Sequence, residues 1–151
     1  MNPPPSNYRR DSRLLEDCMA LEYILLGDLR DLLEESADEH TQPWLVAVLD
    51  ALLDALPREL DLKANDGYLR EVLDEYPSWY RHVESLRREH EDLYRNLRQL
   101  RGGIAQRATY EDVADRVRSD LRDWMNCLVA HHRHETRLIQ TALNLEMGTG
   151  D

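Results

Sequence analysis

Four stretches of this chain repeat apolar residues, mostly leucine, at alternating steps of three and four, the spacing of one buried face on an α-helix. No stretch alternates with the period of two that marks a half-buried strand, and β-branched runs are missing. A chain of 151 residues built this way fits one domain with a continuous core. The lack of Phe and the small glycine count (six) agree with that reading. The class is therefore all-α.

The first segment runs from about Ser12 to Ala37, with a stripe of Leu14, Cys18, Leu21, Leu25 and Leu32, flanked by Ile24 and Leu29. Asp38 to Gln42 reads as a loop, and Pro43 suits the first turn of the next helix. The second helix carries Leu45, Val48, Leu49, Leu52, Leu53, Leu56 and Leu60, and Pro57 within it should kink or break it. Asn65-Asp66-Gly67 interrupts the pattern before a short amphipathic piece from Tyr68 to Tyr76. Pro77-Ser78 opens the third long helix, with Val83, Leu86, His90, Leu93, Leu97 and Leu100 on its stripe, and Gly102-Gly103 is expected to end it. Thr109 and Asp112 resemble a capping box for the fourth, whose stripe is Val117, Leu121, Trp124, Leu128, His131, Glu135, Leu138 and Ala142. The simplest packing is an antiparallel up-down four-helix bundle over 12–146. It is preceded by a disordered leader over 1–11 and followed by a flexible tail over 147–151.

Charge and motif content narrow the function. A formal net charge of −11, with arginines interleaved among acids, argues against nucleic acid. No segment is apolar and long enough to cross a bilayer. The first residues lack the apolar run of a signal peptide, and two cysteines make no disulfide framework, so the expected compartment is the cytoplasm. Neither a phosphate-cradling glycine loop nor a Gly-framed serine occurs, and H-E-x-x-H and E-x-x-H are absent, so an enzyme is not expected.

Chemistry concentrates where the stripes require leucine. His131 and Glu135 lie one turn apart on the fourth stripe, and His90 holds an equivalent place on the third. Buried imidazole and carboxylate are costly unless paired or bound to metal, and at this spacing both can grip one cation. His40, His82, His132 and His134 fall off the stripes and read as solvated.

The phrase Leu86-Arg-Arg-Glu-His90-Glu-Asp-Leu-Tyr-Arg-Asn-Leu97 resembles the third helix of hemerythrin-like (HHE) domains, and His131-His-Arg-His-Glu135-Thr-Arg-Leu-Ile-Gln resembles their last helix. Gly67-Tyr-Leu-Arg-Glu-Val-Leu-Asp-Glu-Tyr-Pro77 is similar to the linker after the second helix in some bacterial members. The resemblance spans about Ser12 to the C-terminus. It implies a four-helix bundle holding a non-haem di-iron centre for oxygen binding, storage or sensing. The first half departs from that pattern. Cys18 stands where the first helix should present His, and Glu59 and Lys63 stand where the second should present H-x-x-x-E. A protonated lysine ligates no metal, so a normal di-iron site is not expected.

Three arrangements remain open. In the first, Lys63 stands in for a cation against Glu59 and Glu135. In the second, one metal ion, iron or zinc, remains on His90, His131 and Glu135, completed by Glu59 or Cys18, with a softer variant that adds Cys127. Or the register of the second helix differs. The function expected from the resemblance is a protein with an eroded di-iron site that retains one cation for metal binding or oxygen and redox sensing. The alternative is a metal-free helical module for a protein or small ligand, with no partner protein identified.

Overall fold

The computed structural model describes residues 6–35, 40–65, 67–105 and 114–149, and within the helices the side chains at 6–12, 65, 105, 143 and 145–149 are not described. The chain is all-helical over these residues. Helix α1 spans Ser6–Glu34, α2 Gln42–Asn65, α3 Tyr68–Glu75, α4 Tyr80–Ala105 and α5 Ala114–Thr149, with a 3-10 turn over Pro77–Trp79 between α3 and α4. None of these helices is long and apolar enough to cross a membrane.

The four long helices share one core. Leu25, Leu29 and Leu33 of α1 meet Leu45, Leu49, Leu52 and Leu56 of α2, Leu93, Leu97 and Ile104 of α4, and Val117, Leu121, Trp124 and Leu128 of α5. The buried Trp124 indole donates to the Leu93 carbonyl at 2.8 Å, so its polar edge is not left bare. A second cluster joins Leu69 and Val72 of α3, Val83 and Leu86 of α4, and Leu138 and Ala142 of α5. Along α4 and α5 the two clusters are separated by a single polar level, at His90 and at His131 with Glu135. That level is where the candidate site lies.

The stripes of α2, α4 and α5 fall inside as the periodicity predicts, with Val48, Leu53, Leu60 and Leu100 half-buried at the margins. That of α1 does so only in part. Its buried face runs through Cys18, Glu22, Leu25, Leu29 and Leu33, while Leu14, Leu21 and Ile24 are exposed. Leucines lie on two sides of α1, and the expected stripe combined buried Cys18, Leu25 and Leu29 with exposed Leu14, Leu21 and Ile24 while leaving out Glu22.

Boundaries also differ. Residues 6–11, expected in the leader, are helical, and α5 continues through 147–149 of the expected tail. Pro57 lies inside an unbroken α2. Gly102 and Gly103 do not end α4, which runs on to Ala105, and neither adopts positive φ, the backbone state that a glycine stop uses. The Thr109–Asp112 capping box lies outside the described residues. At the end of α1, carbonyls left over by the helix are met by arginines of α5: Arg118 donates to Glu35 O, and Arg122 donates to Leu33 O at 3.1 Å.

Two glycines give opposite expectations. A Cβ at Gly67 would lie 2.6 Å from the Leu62 carbonyl oxygen and 2.8 Å from Lys63 Cα, both backbone atoms. At Gly102 it would meet nothing within 4 Å. Gly67→Ala should therefore destabilise the fold by about 1–3 kcal/mol through steric strain. Gly102→Ala should stabilise it by about 0.5–1 kcal/mol, since alanine loses less entropy in a helix. Urea unfolding checks both, and a neutral Gly67→Ala would mean that the α2–α3 junction is not this close.

Candidate functional site: a buried ion network centred on Lys63

Each long helix feeds the polar level. Helix α1 supplies Cys18 and Glu22, α2 supplies Glu59 and Lys63, α4 supplies Glu89 and His90, and α5 supplies His131, His132, His134 and Glu135. Lys63 is at the centre, and its side chain is only 1% exposed. Its Nζ pairs with Glu59, one turn earlier on α2, and with Glu135 of α5 at 2.9 Å and 3.1 Å to the two oxygens. Burial works against the ammonium, but Glu135 and Glu59 outweigh it and hold the Lys63 pKa above its ordinary value. The charge is permanent at any physiological pH.

One branch of the network runs from Glu135 to the surface. His131 Nε2 lies 2.9 Å from Glu135 Oε1, and its Nδ1 lies 2.9 Å from Glu89 Oε1. Glu89, half-buried, also meets His134 Nδ1 at 2.9 Å on the exposed side. Burial chiefly, with His90 and Lys63 adding to it against the pull of Glu89, lowers His131 to about 4. A neutral imidazole has one N–H to give, and Glu89 takes it at Nδ1. The Nε2 lone pair can then take a proton only from Glu135, whose pKa burial raises while Lys63 opposes.

The other branch runs from Glu59 to α1. Glu22, which is 2% exposed, faces both Glu59 and His132, with His132 Nε2 at 3.0 Å from Glu22 Oε1. One carboxylate oxygen each of Glu22 and Glu59 and one ring nitrogen of His132 come within 4.8 Å of one another. Burial, together with the Glu59 charge, raises Glu22 to about 7 against the hydrogen bond from His132. Burial alone would raise Glu59 too, but the hydrogen bond from Glu22 and the Lys63 ammonium bring it down to about 2. Without another cation, Glu59 keeps the negative charge and Glu22 carries the proton.

His90 and Cys18 are tied to the backbone of α2 just before Pro57. His90 Nε2 is 2.6 Å from Leu56 O; a carbonyl only accepts, so this nitrogen carries the hydrogen. Burial lowers the His90 pKa, and its Nδ1 finds no partner among the described residues. The Cys18 thiol donates to Ala55 O at 3.4 Å, and burial, with Glu59 and Glu22 nearby, raises its pKa.

The residues expected to hold metal are thus brought to one level, in a different arrangement. Glu59 and Glu135 are joined by the ammonium rather than by a shared ion. The Nε2 of His131 is turned to Glu135, and the His90 ring sits edge-on to it with centroids 5.5 Å apart. Cys18 is held as a thiol, whereas metal ligation needs thiolate. Cys127 is exposed and does not join Cys18. A di-iron pair does not fit this donor set, because an ion on Glu59, Glu135 and His131 would have to displace a fixed positive charge.

Glu22, Glu89, His132 and His134 were missed. The signal for Glu22 was its place one turn after Cys18, on the face that continues to Leu25, Leu29 and Leu33. The two histidines gave none: they are half-exposed, as expected of them, and join the network only through carboxylates on other helices. Compared with known proteins, the chain matches no family model, no curated protein and no solved structure.

Removing the ammonium should be severe. Lys63→Met leaves buried Glu59 and Glu135 without their counter-charge and is expected to cost about 3–5 kcal/mol in urea unfolding. A loss under about 1 kcal/mol would mean that water reaches the pair. His131 gives a pH signature. Its folded pKa, about 4, lies below its ordinary 6.5, so the unfolded chain binds the extra proton first as pH falls. Its contribution is complete above 6.5 and is lost on the way down to 4. The stability difference between wild type and His131→Gln should shrink across that window by at most about 1.4 kcal/mol per pH unit. A constant difference would show that His131 does not resist protonation.

Proposed function

We propose that the chain is a divergent, up-down antiparallel hemerythrin-like bundle that has given up two-metal chemistry and keeps one interior cation for metal binding or redox and oxygen sensing. The antiparallel order is supported by the pairs that link the helices: Cys18 with Ala55, Asp50 with Arg101, Leu93 with Trp124, and Glu22 with His132. Paired positions run opposite ways: from Asp50 to Leu56 on α2 the partners on α4 go back from Arg101 to His90, from Glu22 to Leu33 on α1 those on α5 go back from His132 to Arg122, and from Glu89 to Leu93 on α4 those on α5 go back from His131 to Trp124. The observation that carries the reading is charge. Three buried carboxylates, Glu22, Glu59 and Glu135, face one buried ammonium, so the level lacks positive charge that protons or a single cation would supply.

A metal-free module that binds a small ligand is the second reading. It is favoured by a surface cleft of about 410 Å³ walled by Trp79, Leu86 and Leu138, with His134 and Arg137 beside them. Elemental analysis of untagged protein, as purified and after reconstitution with iron, zinc and manganese, separates the two. Close to one ion per chain is expected, without the absorption band of an oxo-bridged or oxygen-bound iron pair. Trace metal under every condition would leave the metal-free module, and the pair band would overturn the single-cation reading.

A further inference from the structure

We infer that the retained cation is a divalent transition metal held between Glu22, Glu59 and His132, on the α1 side of the polar level and not on His90 and His131, where the sequence concentrates attention. The inference rests on the single-cation reading and gives it an address. It begins from a geometric deficit. Glu22 and Glu59 are 2% and 1% exposed, and the Oε2 atoms of both have no hydrogen-bond partner among the described residues. Lys63 serves Oε1 of Glu59, and His132 Nε2 lies beside Oε1 of Glu22, so apart from these contacts the two carboxylates face only each other, across the proton on Glu22. Buried carboxylate oxygens are costly when nothing answers them, and a facing pair is answered by one shared proton or by one cation.

The distances suit an ion. The candidate ligand atoms of the three residues lie within 4.8 Å of one another. Donors on a tetrahedral zinc-like ion lie about 3.4 Å apart when each bond is about 2.1 Å, so side-chain rotations that draw the three groups in by up to about 1.4 Å close the shell. The donor set selects the ion. Two carboxylates with one imidazole suit zinc, ferrous or manganous ions, whereas calcium and magnesium prefer oxygen alone. The charge also fits: a divalent ion neutralises Glu22 and Glu59, leaving the Lys63 ammonium to Glu135.

His90 and Cys18 stand outside this shell. Both spend their hydrogen on α2 carbonyls, at Leu56 and Ala55. The three ligands come from α1, α2 and α5, so the ion would bind α1 to the other two at a level where its leucine contacts have ended.

The test is zinc and manganese binding to the full chain at pH 7, by calorimetry and by elemental analysis after dialysis. Variants Glu22→Gln and His132→Gln are set beside His90→Gln and Cys18→Ser. The first two should weaken binding at least about a hundredfold, the scale of losing a metal ligand. The second two should change it by less than about threefold. His132 is half-exposed, so its variant is expected to fold even where a change at buried Glu22 is not tolerated. Circular dichroism confirms that each variant compared is folded. If wild type binds one ion but His90→Gln or Cys18→Ser removes it while His132→Gln does not, the address is wrong and the single-cation reading stands. If wild type takes up neither ion, both fall.

Discussion

An ammonium sealed inside a protein dictates the arrangement of everything near it. Lys63 reaches no water, so its charge must be answered by anions that are themselves buried, and these in turn need donors of their own. Two chains of contact follow from this demand. One passes through Glu135, His131 and Glu89 to His134; the other passes through Glu59 and Glu22 to His132. Each ends at a histidine that solvent can reach. The buried charge is thereby dispersed to two surfaces instead of being trapped, and every long helix is bound into the result.

The same level governs packing. Leucine seams on antiparallel helices are nearly degenerate: sliding one helix by a turn exchanges one leucine for another at small cost. A polar level that can be satisfied in only one register removes that freedom, as a single buried polar residue does in a coiled coil. Here the level divides the interior into two apolar clusters, and a one-turn slip of α2 would carry Lys63 away from Glu135 into one of them. The ion network adds little net stability of its own, since desolvation consumes most of the Coulomb attraction. It makes every alternative register much worse.

This division explains what the sequence disclosed. Period alone revealed four helices, because each buries a face wide enough to be read. It also singled out His90, His131 and Glu135, because each interrupts such a face; Glu59 and Lys63 entered only through the resemblance to hemerythrin-like domains. It failed on α1, where Leu14, Leu21 and Ile24 form a second apolar stripe as good as the buried one, and only contact with α2 and α5 decides between them. Glu22 was lost with that choice. Helix ends were misjudged at Gly102 for a different reason: glycine permits a stop, but packing of Ile104 into the core carries the helix past it. The partners of His132 and His134 were never legible, because carboxylates as distant in the chain as Glu22 and Glu89, the latter 45 residues from His134, leave no mark in local spacing.

The network also bears on how firmly a cation would be held. Glu59 is shared: its Oε1 answers Lys63, and only the other oxygen is open to an ion. A neighbouring ammonium draws electron density from the carboxylate and repels a second positive charge, so an ion beside it is bound less tightly than the same donors would bind alone. His132 is partly exposed, so the ion would have a path to solvent and would compete with a proton at Glu22 for the same place. A structural metal site is closed, and its donors answer only to the metal. An ion with a fixed cation on one side and an exposed imidazole on the other would exchange readily, so the proposed site would fit sensing better than storage.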